Sequence, residues 1–295
     1  MDAPTLHIIT GPTATGKTAF AMEWARAHGA EIVSCDSLLV YRGMDIGTAK
    51  PTPEERAAVP HHCIDLVEPD APYSVSGYIR DAAAAIQDII GRGRQVVVTG
   101  GSGFYLKAFY QAVTDAIAIP ESVLARVQAL QAEGLAAMQA ALEPYAPGRP
   151  DILDWQNPRR VAKALERCMA SGRSLPELHA AFRCAPGAFA GFARRTVLLE
   201  REPEVLRARI VQRVHAMLDA GLIGEVERLR TAGKLRPGTP AASAVGYRET
   251  LSWLDCGGAD RAALASAVVT ATCQLAAKQR KWFRTQISVD EVVRL

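Results

Sequence analysis

The sequence predicts an α/β protein: a P-loop NTPase-like parallel sheet flanked by helices, carrying an all-helical insertion. Three observations predict it. A short apolar run at residues 6–10 passes through a glycine-rich turn into a helical pattern that reaches His28. Apolar, β-branched runs then alternate with helix-patterned stretches as far as residue 118, the signature of strands joined by crossover helices. From 119 to 190 the strand signal disappears, and RTVLLE at 195–200 restores it.

The elements follow in order. Leu6 to Thr10 reads as a buried strand and Thr18 to His28 as the helix after it. EIVSCDSLLVY supplies a second strand ending at Ser34, and HHCIDLV is a third candidate. VSGYIRDAAAAIQDIIGRG is an amphipathic helix, and QVVVTGGSGFYLKAFY runs from a β-branched strand through glycines into another helix. Residues 1–118 thus form the first part of the core, 119–190 a helical insertion, and 191–295 a return to the core followed by mostly helical sequence.

With 295 residues, of which 49% are hydrophobic, the chain is long enough for one large α/β domain or two smaller cores. A net charge of +3 does not announce a nucleic-acid binder, so any basic face must come from local clustering. Cys35, Cys63, Cys168, Cys184, Cys256 and Cys273 form no C-x-x-C pair, which argues against a zinc ribbon or a disulfide scaffold and fits reduced thiols. The start MDAPT lacks a basic leader, and no apolar run approaches the length of a membrane span, so a soluble cytoplasmic protein is expected.

Gly11-Pro12-Thr13-Ala14-Thr15-Gly16-Lys17-Thr18 fits the P-loop pattern without a gap. Its glycines let backbone N–H groups and the positive end of the next helix face an anion. Lys17 adds a mobile charge, and Thr18 a hydroxyl suited to Mg2+. The motif specifies a polyphosphate, but not which one.

Asp36 is the first carboxylate after the second strand, at the sheet edge where such folds bind ligands. It can act as a proton acceptor or hold a metal through water, and a turn aspartate is the plainer reading. GGSGFY at 100–105 is a second glycine-rich turn, whose Ser102 could reach the same cleft. Two basic groups stand apart: NPRRVAKALER at 157–167 and AAKQRKWFRTQ at 276–286. In the second, Lys278, Arg280, Lys281 and Arg284 surround Trp282 and Phe283, a mixture suited to phosphate contact and base stacking and equally to a solvated helix face. Arg209 and Arg213 lie four apart on one helix face, placed to meet a phosphate or a glutamate.

The ordered series GPTATGKT, DSLLVYRGMDIGTAKP, HHCIDLVEPDAPYSVSGY, GGSGFYLKA, RRVAKALE, SAVGYRE and QLAAKQRKWFR resembles the tRNA dimethylallyltransferases, also called tRNA isopentenyltransferases, over nearly the whole chain. The resemblance implies that the loop holds the diphosphate of dimethylallyl diphosphate. It further implies that N6 of the adenosine 3′ of the anticodon attacks the allylic carbon and that diphosphate leaves with Mg2+. Asp36 is then the general base, Lys17 and Ser102 complete the catalytic set, and Arg209 joins residues 11–18 on the diphosphate. Asp36, Ser37, Leu38, Leu39 and Ser102, with Arg160, Val161, Ala162, Lys163 and Ala164, match stretches that meet tRNA, and Lys278, Arg280 and Arg284 are further candidates. The partners implied are the tRNA anticodon stem-loop and dimethylallyl diphosphate, with no membrane, no obligate protein partner and a monomeric enzyme.

The sequence departs from the family pattern at a few places. Leu39 stands where glutamine is usual, Ser102 where threonine is usual, and Cys273, Ala277 and Lys281 replace arginine, lysine and threonine of the closing motif. A P-loop kinase of small molecules or nucleosides, with Arg159 and Arg160 as lid arginines, and an RNA-binding protein without catalysis are the competing readings.

Overall fold

The computed structural model describes residues 3–115 and 117–295, so the start read at Met1 and Asp2 lies outside them. The chain divides into two compact units, one made of residues up to 111 and from 188 onward, the other of residues 112–187. The boundaries at 119 and 190 read from composition thus differ from the units that the contacts define. The insertion begins earlier because the segment after Lys107 is irregular, a state that composition does not report.

In the first unit, β1 (Thr5–Thr10) leads to α1 (Lys17–His28), and β2 (Ala30–Ser34) to α2 (Pro53–Ala58) and β3 (His61–His62). Then come α3 (Val75–Gly91), β4 (Gln95–Gly100) and α4 (Gly103–Lys107). The helical unit holds α5 (Glu121–Glu133), α6 (Leu135–Leu142), α7 (Pro158–Ser171) and α8 (Leu175–Cys184). The first unit resumes with β5 (Ala193–Glu200), α9 (Pro203–Asp219), α10 (Leu222–Thr231), α11 (Tyr247–Asp255), α12 (Arg261–Gln286) and β6 (Glu291–Arg294).

The strands form one sheet in the order β3-β2-β4-β1-β5-β6, with every neighbour pair parallel. β2 is buried along its length and β4 at most positions, which explains their unbroken apolar runs. One expectation is cut back here. HHCIDLV contributes only two strand residues, because Cys63 and Asp65 adopt positive φ and turn the chain away from β2. The C-terminal segment is mostly helical, as read, and also adds β6 in parallel to β5 from Val197↔Glu291 to Glu200↔Arg294. Its EVVR is short and largely exposed, so it carries little apolar signal.

Register sets the geometry of the site. Thr10 of β1 lies beside Gly100 of β4 and Leu198 of β5, while Ser34 of β2 lies beside Thr99. The loops after all four strands therefore leave from one edge, where parallel sheets bind ligands. Ile9, Ile32, Val97 and Leu199 pack with Ala21, Met22 and Ala25 of α1, which fixes the helix that follows the P-loop. Each fully buried branched side chain contributes about 1.5–3 kcal/mol relative to exposure. Val40, Met44, Ile210, Val214, Leu222, Val226, Tyr247 and Val268 join α9 to α12 in a second core.

The helical unit has its own core, with Val127, Leu130, Met138, Leu142, Val161, Leu165 and Cys168 among its buried residues. Asn157 caps α7 by accepting the N–H groups of Arg159 and Arg160, and Ser174 with Glu177 forms a capping box on α8. Val161, Ala162 and Ala164, carried over as tRNA contacts, are 0%, 2% and 4% exposed. Their side chains form the apolar face of α7 and pack inward, so within that stretch only Arg160 and Lys163 present side chains to solvent, ion-paired with Asp154 and Glu166.

Candidate active site

The loop between β1 and α1 turns on Gly16, whose φ of 102° lies in the left-handed region that favours glycine. A Cβ at Gly11 would come within 2.5 Å of the Leu199 carbonyl oxygen, so β5 also demands a glycine there. Lys17 Nζ donates to the Pro12 carbonyl at 2.8 Å, folded back over the loop it serves. Burial lowers its pKa to about 8, with Asp36 opposing that shift and Arg213 adding to it.

Arg209 Nε donates to the Ala14 carbonyl at 3.0 Å and Arg201 Nε to the Thr15 carbonyl at 2.9 Å. A Cβ on Gly16 would lie 3.8 Å from Nη2 of both, so two guanidinium tips flank that residue. Arg201 was not singled out in the sequence, although its place just past the C-terminal end of β5 is the available signal. Desolvation, with Arg209 nearby, lowers its pKa, and desolvation does the same at Arg213.

A cleft of about 670 Å³ opens here, lined by Thr13, Ala14, Gly16, Lys17 and Thr18 from the loop, Asp36, Leu38 and Leu39 after β2, and Arg209 and Arg213 from α9. Gly100, Gly101, Gln279 and residues 47–51 also contribute to its walls. Asp36 Oδ1 accepts the N–H of Leu38 at 2.9 Å, the turn role that sequence left open. Among the described residues no protein donor reaches Oδ2, so the turn leaves one oxygen available within the cleft lining. Ser102 sits at the N-cap of α4 with its hydroxyl engaged by Ser37: Oγ accepts the Ser37 N–H at 2.8 Å and donates to Ser37 Oγ at 3.0 Å.

Gln279 ties the site together and was missed in the sequence. Its Oε1 accepts the Thr13 N–H at 2.8 Å and its Nε2 donates to the Gly101 carbonyl at 2.9 Å, clamping the P-loop to the second glycine turn. That turn needs glycines for close approach: a Cβ would lie 2.0 Å from the Cys35 carbonyl oxygen at Gly100 and 2.7 Å from the Trp282 indole at Gly103. Glu225, 3% exposed, accepts the N–H groups of Asp45, Ile46 and Gly47 and the Tyr247 hydroxyl, fixing the loop that supplies Gly47 to Pro51. Ser34 Oγ and His61 Nε2 also belong to cleft-lining residues and are buried without a protein partner. His61 Nδ1 faces the Val59 carbonyl at 2.7 Å, leaving Nε2 as an unfilled acceptor when the ring is neutral, the form that burial favours.

Arg280 and Arg284 are tied to the Arg201 carbonyl and to Glu200, whereas Lys278 and Lys281 have no carboxylate within ion-pair distance among the described residues. The six cysteines are free, and no group of three or more His, Cys, Asp or Glu residues suited to a metal occurs among the described residues, HHC at 61–63 included. No described helix is long and apolar enough to cross a membrane.

The IPP transferase family model matches residues 39–286. This chain belongs to the IPP transferase family. It is 50% identical over 286 residues to a tRNA dimethylallyltransferase of Opitutus terrae, covering 97% of this chain and 92% of that one. A tRNA dimethylallyltransferase of Burkholderia vietnamiensis is 41% identical, covering 98% and 91%. Among solved structures, the tRNA isopentenylpyrophosphate transferase of Bacillus halodurans superposes with a TM-score of 0.69 at 32% identity, over 98% of this chain and 89% of that one. A eukaryotic dimethylallyltransferase acting on tRNA reaches a TM-score of 0.82 at 23% identity over 98% and 74%, which speaks for the fold alone. Membership of this family does not favour the small-molecule kinase that the P-loop by itself left open.

Proposed function

We propose that this transferase moves the dimethylallyl group of dimethylallyl diphosphate onto N6 of the adenosine 3′ of the anticodon in tRNA, releasing diphosphate. The observation that carries the reading is that Lys17, Thr18 and Asp36 line one cleft in a member of this family. The amine nitrogen attacks the allylic carbon, the carbon–oxygen bond breaks with its electron pair going to diphosphate, and the amine proton passes to Asp36. Lys17, the loop N–H groups, Arg209 and the neighbouring Arg201 stabilise charge growing on the leaving group. A target base inside a folded RNA must be extruded before such chemistry, which suits an open-mouthed cleft.

Mg2+ is the expected cofactor. The donor fits it: the Thr18 hydroxyl is a hard oxygen in the cleft, and Mg2+ would take its remaining ligands from substrate phosphates and water, without a dedicated all-protein cage. When bound it supplies further charge neutralisation on the diphosphate. Reduced cysteines suit the cytoplasm, and an enzyme that clasps one tRNA can work as a monomer.

The test is incubation with Mg2+, dimethylallyl diphosphate and unmodified tRNA, followed by digestion and mass spectrometry for N6-isopentenyladenosine. The product is expected with wild type, and Asp36→Asn is expected to lower turnover by 10²-fold or more, on the order of a lost general base, while diphosphate still binds. Turnover by Asp36→Asn near the wild-type rate removes Asp36 from the base role. Absence of product with wild type overturns the assignment.

A further inference from the structure

Phe104 is 60% exposed, the most exposed large hydrophobic side chain among the described residues, and it lies three residues after Gly101, which lines the candidate active site. Its neighbours explain why it faces out. Gly103 is packed against the Trp282 indole, and Tyr105 and Leu106 are 7% and 0% exposed in the core, which leaves position 104 as the outward face of the first turn of α4. An isolated surface phenylalanine is ordinary, but its surroundings here are not.

The α4 segment is seated on one face of α12. Gln279 bonds the Gly101 carbonyl, Trp282 covers Gly103, and Lys107 Nζ donates to Gln286 at 3.2 Å, so positions 279, 282 and 286 form one helical row. Lys278, four before Trp282, borders that row, Lys281 lies beside Trp282 toward the outer side of α12, and both are exposed and pair with no carboxylate among the described residues. Lys107 is three residues after Phe104 on α4, hence on the same side of that helix. The seam begins at Gly101 and Gln279, which themselves line the cleft. An exposed aromatic and two uncommitted lysines thus lie on the two segments that supply Gly101 and Gln279 to the cleft.

We propose that Phe104 is a nucleobase-stacking platform for the substrate RNA, receiving a loop base next to the extruded adenosine while Lys278 and Lys281 hold the adjoining phosphates. The inference rests on the tRNA-modifying reading. Drawing one nucleoside out of a loop removes a stacking partner from its neighbours, and a flat apolar ring three residues from the cleft-lining Gly101 restores one. Single-stranded RNA asks for this combination of π-face and cations. Since the side chain is exposed and its helix is anchored by residues 103, 105 and 106, replacing it leaves the fold intact.

The experiment measures binding of an unmodified tRNA anticodon stem-loop at several salt concentrations to wild type, Phe104→Ala, Phe104→Trp and Lys281→Gln, alongside diphosphate affinity. Phe104→Ala is expected to weaken RNA binding about tenfold, in the range of one lost base stack, with an unchanged salt slope and unchanged diphosphate affinity. Phe104→Trp should bind within about twofold of wild type, whereas Lys281→Gln should lower the salt slope by about one. RNA affinity of Phe104→Ala equal to wild type, or Phe104→Trp as weak as Phe104→Ala, overturns the stacking role. If wild type forms prenylated RNA while Phe104→Ala binds normally, only this inference fails. If wild type binds RNA through Phe104 but forms no product, the stacking role stands and the reaction assignment fails. Absence of RNA binding by wild type overturns both.

Discussion

The two units of this chain are held by different kinds of interaction. In the α/β unit, polar contacts bridge residues far apart in sequence: Gln279 reaches Thr13 and Gly101, Glu225 reaches residues 45–47, and Arg201 and Arg209 reach back to Thr15 and Ala14. In the helical unit most polar contacts stay close along the chain, as in Arg160 with Asp154, Lys163 with Glu166 and Ser174 with Glu177, the ion pair of Arg167 with Asp115 being the long-range one, and an apolar core does the rest. A unit that must hold reacting groups in one geometry uses directional clamps between distant segments, while one that needs only a stable shape relies on burial and caps.

The largest effect that sharpens this contrast belongs to Leu165, which is fully buried in the helical core. Leu165→Ala should cost about 3 kcal/mol of stability by denaturant titration, with diphosphate affinity unchanged. A parallel loss of diphosphate binding would break the division of labour. Next comes Gln279→Ala, which frees Thr13 and Gly101 together and should lower kcat/KM about a hundredfold through misplacement of the loop. Gln279→Glu keeps an acceptor for Thr13 but sets an oxygen against the Gly101 carbonyl, so it should fall between the two.

The third is a pH effect. Lys17 loses its proton near pH 8 in the free enzyme, and the charged form is the one that attracts diphosphate. Diphosphate affinity measured calorimetrically should be flat below about pH 8 and weaken about tenfold per pH unit above it, and Lys17→Met should remove that inflection. The smallest concerns Asn157: Asn157→Ala removes the cap on α7 and should destabilise the helical unit by about 1 kcal/mol without altering diphosphate binding.

This contrast also explains what could be read from the sequence. The P-loop, Asp36 and the second glycine turn were legible because local spacing encodes a strand, a turn and a helix. The helical unit was legible by its missing strand signal, yet α7 misled: residues 160–164, read as a row of contacts, hide Val161, Ala162 and Ala164 in the core and leave Arg160 and Lys163 outside. Gln279, Glu225, Arg201 and the unfilled His61 Nε2 were not legible. Nothing in their neighbourhoods marks them, since their roles exist only once segments up to 266 positions apart have met. β6 escaped for a similar reason, as a short exposed strand defined by the partner it joins.

The rings of Phe109 and Phe189 stack at 4.3 Å with planes 12° apart, and both belong to the α/β unit on either side of residues 112–187. Arg194 adds a hydrogen bond to the Phe109 carbonyl beside them. The chain thus leaves and re-enters the α/β unit through a single pinned doorway. In the arithmetic of polymers, the intervening segment is one long closed loop whose closure entropy grows only logarithmically with length. By that term alone, the length of the insertion between the two rings weighs little on the closure of the sheet unit around it.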